Sequence, residues 1–129
     1  MEFRRITPDI NSNRIEDSKQ FYSNFVGLKL AMDMDWILTF ISESNPTAQI
    51  NILRSDKRDL DNSNVMISIE SSDVDALYKK ALAQNIEITY HLKIEEWGVK
   101  RFFVNDPNGV TVNIMCHVDL DKESESIVK

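Results

Sequence analysis

One cysteine in 129 residues, Cys116, leaves nothing within the chain to form a disulfide with, and suits a reducing compartment. In a strand-rich segment such a residue reads as a small buried hydrophobe rather than a nucleophile. Glycine is almost as scarce, and 3 residues cannot build the Gly-rich loop that cradles a phosphate. The 2 histidines, His91 and His117, have no second His, Cys or carboxylate at a motif spacing. Neither a zinc motif nor a Ser-His-Asp or Cys-His arrangement is therefore in view. No stretch approaches the roughly 18 apolar residues of a membrane helix. Met1-Glu2-Phe3-Arg4-Arg5 also lacks the apolar run of a secretory signal. Positive charge is short as well: 15 Lys and Arg stand against 21 Asp and Glu, a net charge of −6. That balance argues against nucleic acid, which needs cations to neutralise its phosphates. It is compatible with a cationic ligand, but keeping a small protein soluble is the simpler role. Together the absences predict a cytoplasmic protein without membrane or nucleic-acid partners.

What is present is a globular composition, 42% hydrophobic and 28% charged, in a chain long enough for a real core. Residues 4–12 read as a first strand, with Pro8 marking an edge or a bulge. A helix is predicted over about 14–26, with Asn13 and Glu16 placed as a capping box. Ile15, Ser18, Tyr22, Phe25 and Val26 fall on its buried stripe, and Gly27 supplies the left-handed stop. Strand-like runs follow at 28–34, 36–42 and 48–54. A polar stretch without periodicity, 55–64, reads as a linker.

After it the same order returns. Residues 65–70 alternate like a strand, and Ser72 is placed to cap a second helix. Val74, Leu77, Tyr78, Ala81 and Leu82 have the spacing of a buried face. Asn85 ends that helix in the position Gly27 took before. Strands at 86–94, 99–105 and 110–117 complete the set, and a charged tail, 118–129, reads as mobile or loosely helical. The repeat is legible in register too. Gly27-Leu28-Lys29-Leu30 matches Asn85-Ile86-Glu87-Ile88, and Ile50-Asn51-Ile52 matches Val112-Asn113-Ile114.

Several short motifs stand in a particular order: Phe21-Tyr22, then Val26-Gly27-Leu28, then Ser72-Asp73-Val74-Asp75. Trp97-Gly98 follows, leading into Arg101-Phe102-Phe103-Val104-Asn105-Asp106-Pro107-Asn108-Gly109. Over about residues 4–117 this order resembles the vicinal oxygen chelate superfamily of glyoxalase I, extradiol dioxygenases, fosfomycin-resistance enzymes and bleomycin-resistance proteins. The resemblance implies one α+β glyoxalase-like domain of two tandem βαβββ modules, about 4–54 and 65–117. They would form a cupped mixed sheet with the helices outside, and the chains would pair as a homodimer. Metal enzymes of the superfamily carry His near the start of each module's first strand and Glu on each last strand. Counted from the motifs, those slots hold Thr7 and Met66, and Asn51 and Asn113. Amides and thioethers bind divalent transition metals poorly. The flanking Ile6, Pro8, Ile50, Ile52, Val65, Ile67, Val112 and Ile114 offer no side-chain ligand at all. No metal and no cofactor are expected.

Other residues are candidates for a cavity wall. Asp9, two residues past Thr7, is the one carboxylate that period-2 geometry aims inward; a solvated Asp is the alternative. A type I turn with a Gly109 bulge would pair Asp106 with Val110. An ordinary two-residue hairpin would turn Phe102 and Val104 inward, whereas the bulged turn would oppose Phe103 to Asn113 and Arg101 to Met115, turning all four inward instead. Arg101 would then clamp a carboxylate or phosphate, or else bridge to Glu95 or Glu96. Trp36, Phe40 and Trp97 are aromatic walls or core residues. The expected ligand-binding set is thus Thr7, Asp9, Trp36, Phe40, Asn51, Met66, Trp97, Arg101, Phe103 and Asn113, with no catalytic residue identified. The function this implies is metal-independent binding of a small organic molecule. The alternatives are a glyoxalase-like lyase or dioxygenase with a non-classical metal site, or an interaction protein with a vestigial cavity.

Overall fold

In the computed structural model residues 1–122 are described, so residues 123–129 of the charged tail lie outside the described residues. The chain divides into two compact units, Met1–Asn64 with Asp106–Val110, and Val65–Asn105 with the residues from Thr111 onward. The linker 55–64 therefore belongs to the first unit, as does the turn that joins the last two strands.

The first unit runs β1 (Asp9–Ser12), α1 (Ile15–Lys19), a π-helical continuation (Gln20–Phe25), β2 (Lys29–Asp33), β3 (Ile37–Ile41) and β4 (Gln49–Arg54). Its mixed sheet has the order β1-β4-β3-β2, with β1 parallel to β4 and the other pairs antiparallel. The first strand begins at Asp9 rather than at residue 4. Pro8 has no N–H to donate, and its carbonyl accepts the Asn51 N–H at 2.9 Å as the ladder starts. The helix also differs from expectation at its start. Asn13 does not cap it, because its amide donates to the Lys57 carbonyl at 2.7 Å, and the Ser12 hydroxyl takes the Arg14 N–H at 2.9 Å. The π-register leaves Phe21, Tyr22 and Phe25 buried together, with Tyr22 5.6 Å from the Phe40 ring on β3. Gly27, at φ +87°, then turns the chain as its sequence position predicts.

The second unit repeats the plan: β5 (Met66–Glu70), α2 (Val74–Ala83), β6 (Ile88–Glu95), β7 (Val99–Asn105) and β8 (Thr111–His117), in sheet order β5-β8-β7-β6. Asp73, not Ser72, caps α2, its carboxylate accepting the Ala76 N–H at 3.0 Å. Val74 and Ala81 are buried on the predicted stripe and Tyr78 packs edge-on against Phe102, but Leu82 faces solvent. Asn85, at φ +55°, takes the left-handed stop. The molecule is α+β, two βαβββ modules in succession.

The Asp-Pro-Asn-Gly turn adopts the bulged form: the Asp106 N–H donates to the Val110 carbonyl at 2.9 Å and Gly109 sits at φ +86°. Within the first unit the buried Asp106 carboxylate accepts the Tyr22 hydroxyl at 2.6 Å. Burial, with Asp106 beside it, raises the Tyr22 phenol above its ordinary 10.0. The folded protein therefore keeps a proton that the unfolded chain loses once pH passes 10.0. Stability contributed by Tyr22 is complete below that value and declines above it, at about 1.4 kcal/mol per pH unit. Urea unfolding followed from pH 9 to 11.5 is expected to show this decline, and Tyr22→Phe to remove about one proton from its slope. Equal slopes for the two proteins would refute the assignment.

Candidate functional site

Each sheet has one face covered by its own unit's helix and one opposite. Alternation along the strands sorts the side chains between them. In the first unit the register aligns Asp9, Asn51, Thr39 and Met32 in one row across the sheet. Asn51 links three strands along that row. Its Nδ2 donates to Asp9 Oδ1 at 2.9 Å, and its Oδ1 accepts the Thr39 hydroxyl at 2.7 Å. The parallel ladder puts Asp9 rather than Thr7 beside Asn51. Thr7 lies ahead of the strand, its hydroxyl 3.4 Å from Gln49 Oε1. Trp36 precedes β3 and is 58% exposed. Phe40 lies on the other face: it points with Leu38, Ile50 and Ile52 toward Tyr22 and is fully buried in the core.

In the second unit the corresponding row is Ser68, Asn113, Phe103 and Tyr90. Here too the ladder places a neighbour two residues beyond the counted slot: Asn113 Nδ2 donates to Ser68 Oγ at 3.0 Å, while the exposed Met66 opposes Thr111. The turn geometry delivers the expected pairs Phe103 with Asn113 and Arg101 with Met115. Phe103 stacks on Tyr90, ring centres 4.9 Å apart. The Arg101 guanidinium lies 4.9 Å from the Phe103 ring, 5.2 Å from Trp97 and 5.3 Å from Tyr90. Trp97 occupies the turn between β6 and β7 and is 59% exposed. Glu95, buried, accepts the Tyr90 hydroxyl, and its carboxylate stands 3.6 Å from Arg101 Nε. Arg101 therefore has its bridge to Glu95, at a length that makes it an ion pair rather than a hydrogen bond. Two buried side-chain polar atoms have no hydrogen-bond partner among the described residues, Arg101 Nε and Asn113 Oδ1.

Tyr90, Ser68 and Thr39 are absent from the set that the sequence predicts. Tyr90 escapes because β6 shifts register twice, between Ile88 and Tyr90 and between Tyr90 and Lys93, so parity cannot be carried across from β7. Among the described residues no three His, Cys, Asp or Glu side chains come together as a metal ion would need, and no helix is long and apolar enough to cross a membrane.

The family model for the glyoxalase/bleomycin resistance protein/dioxygenase superfamily matches residues 4–114. By sequence, no curated protein matches. Among solved structures, a glyoxalase/bleomycin resistance protein/dioxygenase from Nocardioides is similar at a TM-score of 0.73 and 17% identity, over 92% of this chain and 87% of its own. A bleomycin resistance determinant encoded on transposon Tn5 reaches 0.73 at 14% identity, over 89% and 98%. A bleomycin-binding protein complexed with bleomycin reaches 0.71 at 15% identity, over 89% and 99%. At such identities these likenesses establish the fold.

Proposed function

The chain belongs to the glyoxalase/bleomycin resistance protein/dioxygenase superfamily, and from that premise we propose that it binds a small organic molecule without a metal ion. One observation carries the reading. In both units the last strand sets a neutral amide, Asn51 or Asn113, against the first strand, and that amide donates to its neighbour there, Asp9 or Ser68. Amide nitrogens engaged in this way are poor company for a divalent cation. The exposed Trp97 and the caged Arg101 supply apolar area and charge for an organic molecule instead. The bleomycin-binding neighbour supports the same reading, since a protein of this fold is seen with a small molecule bound.

Thermal unfolding of EDTA-treated protein tests both halves. A ligand at a hundredfold over its Kd adds about 2.7 kcal/mol, enough for a Tm rise of several degrees. At least one compound in a broad panel, bleomycin included, is expected to give it with chelator present. No rise with any compound would sink the binding reading. A rise with Ni, Zn, Mn, Co or Fe would sink metal independence and favour a lyase or dioxygenase.

A further inference from the structure

The face of the second sheet holds a cation already enclosed by aromatic rings. Trp97, Phe103 and Tyr90 surround the Arg101 guanidinium at 4.9 to 5.3 Å. Ring faces attract cations, and these three are occupied by the chain's own. A cationic ligand approaching them meets Arg101 first, so the net charge of −6 does not decide the sign of what binds here. Locally the charges are mixed, with Glu96 exposed in the turn beside Trp97. Lys93 lies directly across from Arg101 on β6, against the single buried carboxylate of Glu95, whose charge the Tyr90 hydroxyl shares. Glu70 stands in the same row but two strands away, on β5. Glu95 stands 3.6 Å from Nε, and no hydrogen bond forms there. The rest of the guanidinium fork has the geometry to take a carboxylate with two parallel bonds, and the side chain keeps 24% of its surface in solvent.

The second unpaired atom belongs to a side-chain amide. Asn113 is only 9% exposed, and one end of its amide meets the Ser68 hydroxyl, which can donate or accept, while the other end has no partner among the described residues. Buried polar atoms are nearly always satisfied, by protein, by ordered water or by a ligand, so this amide offers a partner to a polar group of a bound molecule. Arg101 opposes Met115, which makes Asn113 its diagonal neighbour. Diagonal pairs stand about 7–8 Å apart, a span that one para-substituted ring can cover.

We infer that the ligand is a planar aromatic acid with a hydroxyl on its ring. Its carboxylate engages Arg101, its ring lies against Trp97, and its hydroxyl meets the free end of the Asn113 amide. This rests on the small-molecule reading above and names the ligand class for it.

Titration calorimetry on the full chain tests it with four probes: 4-hydroxybenzoate, benzoate, phenol and benzylamine. 4-Hydroxybenzoate is expected to bind at least tenfold more tightly than phenol or benzoate, with no heat from benzylamine. Arg101→Gln and the milder Arg101→Lys should each weaken it tenfold or more, with folding checked by circular dichroism. Trp97→Ala, at an exposed turn, should weaken it severalfold with Tm unchanged. Equal affinity for phenol, or full affinity in the folded Arg101→Lys protein, overturns the inference. If these acids fail while another class of compound raises Tm in the broad panel, this inference falls and metal-free binding stands. If nothing binds at all, both fall.

Discussion

Asp106→Ala is expected to lower the unfolding free energy by roughly 3–5 kcal/mol, because it strips a buried carboxylate from the donors gathered around it. The Tyr22 hydroxyl at 2.6 Å, the backbone N–H groups of Asn108 at 2.8 Å and Val110 at 2.9 Å, and Asn108 Nδ2 at 3.2 Å all point at its two oxygens. Alanine leaves Tyr22 and Val110, both fully buried, with donors that no longer have this acceptor. It also removes the side chain that fixes the turn and, through Asn108, the contacts of Asn108 with the buried Ser12 and Ser18. Asp106→Asn keeps one acceptor oxygen and the shape, so its loss should be clearly smaller. Urea midpoints of the two variants measure the difference. An alanine variant within about 1 kcal/mol of the parent would mean that the carboxylate does not organise the turn.

The legibility of this fold followed the reach of each signal. Turn signals confined to a few residues carried through: the bulged Asp106–Val110 turn fixed the β7–β8 register, and with it the pairs Phe103 with Asn113 and Arg101 with Met115. Gly27 and Asn85 both took the left-handed conformation their positions required. Signals passing through loops did not. Counting back from a helix motif to a strand on its far side reached Thr7 and Met66, while the parallel ladders set Asp9 and Ser68 beside the two asparagines. A parallel register has no local turn to pin it, because its partner strands are joined through distant chain. Capping failed at both helices for a different, local reason. Asn13 and Ser72 are competent caps, but neighbours one residue away compete with them: Asp73 won at α2, and the Ser12 hydroxyl took the Arg14 N–H near the start of α1. The aromatic cluster around Arg101 was half visible. Trp97 and Phe103 follow from the turn and its parity, but Tyr90 depends on irregularities in β6 that composition does not announce.

Phe40 is where the two readings of one aromatic part most sharply. Phe40→Ala is expected to cost about 3–5 kcal/mol. The ring is fully buried, 5.6 Å from Tyr22, on the face where Leu38, Ile50 and Ile52 also lie. That parity is opposite to the row through Asn51, since Thr39, not Phe40, is the residue of β3 that stands across from it. The strand register from β3 to β4 runs through seven residues of loop, 42–48, with no tight hairpin to declare it. Alternation alone therefore allowed either face. The decisive comparison is with Trp97→Ala. Truncating the exposed indole should leave the urea midpoint nearly unchanged and weaken ligand binding, whereas truncating Phe40 should lower the midpoint and leave affinity intact in the folded fraction. If Phe40→Ala instead cost less than about 1 kcal/mol and abolished binding, Phe40 would belong with the ligand-facing row and the assignment of the two sheet faces in the first unit would have to be exchanged.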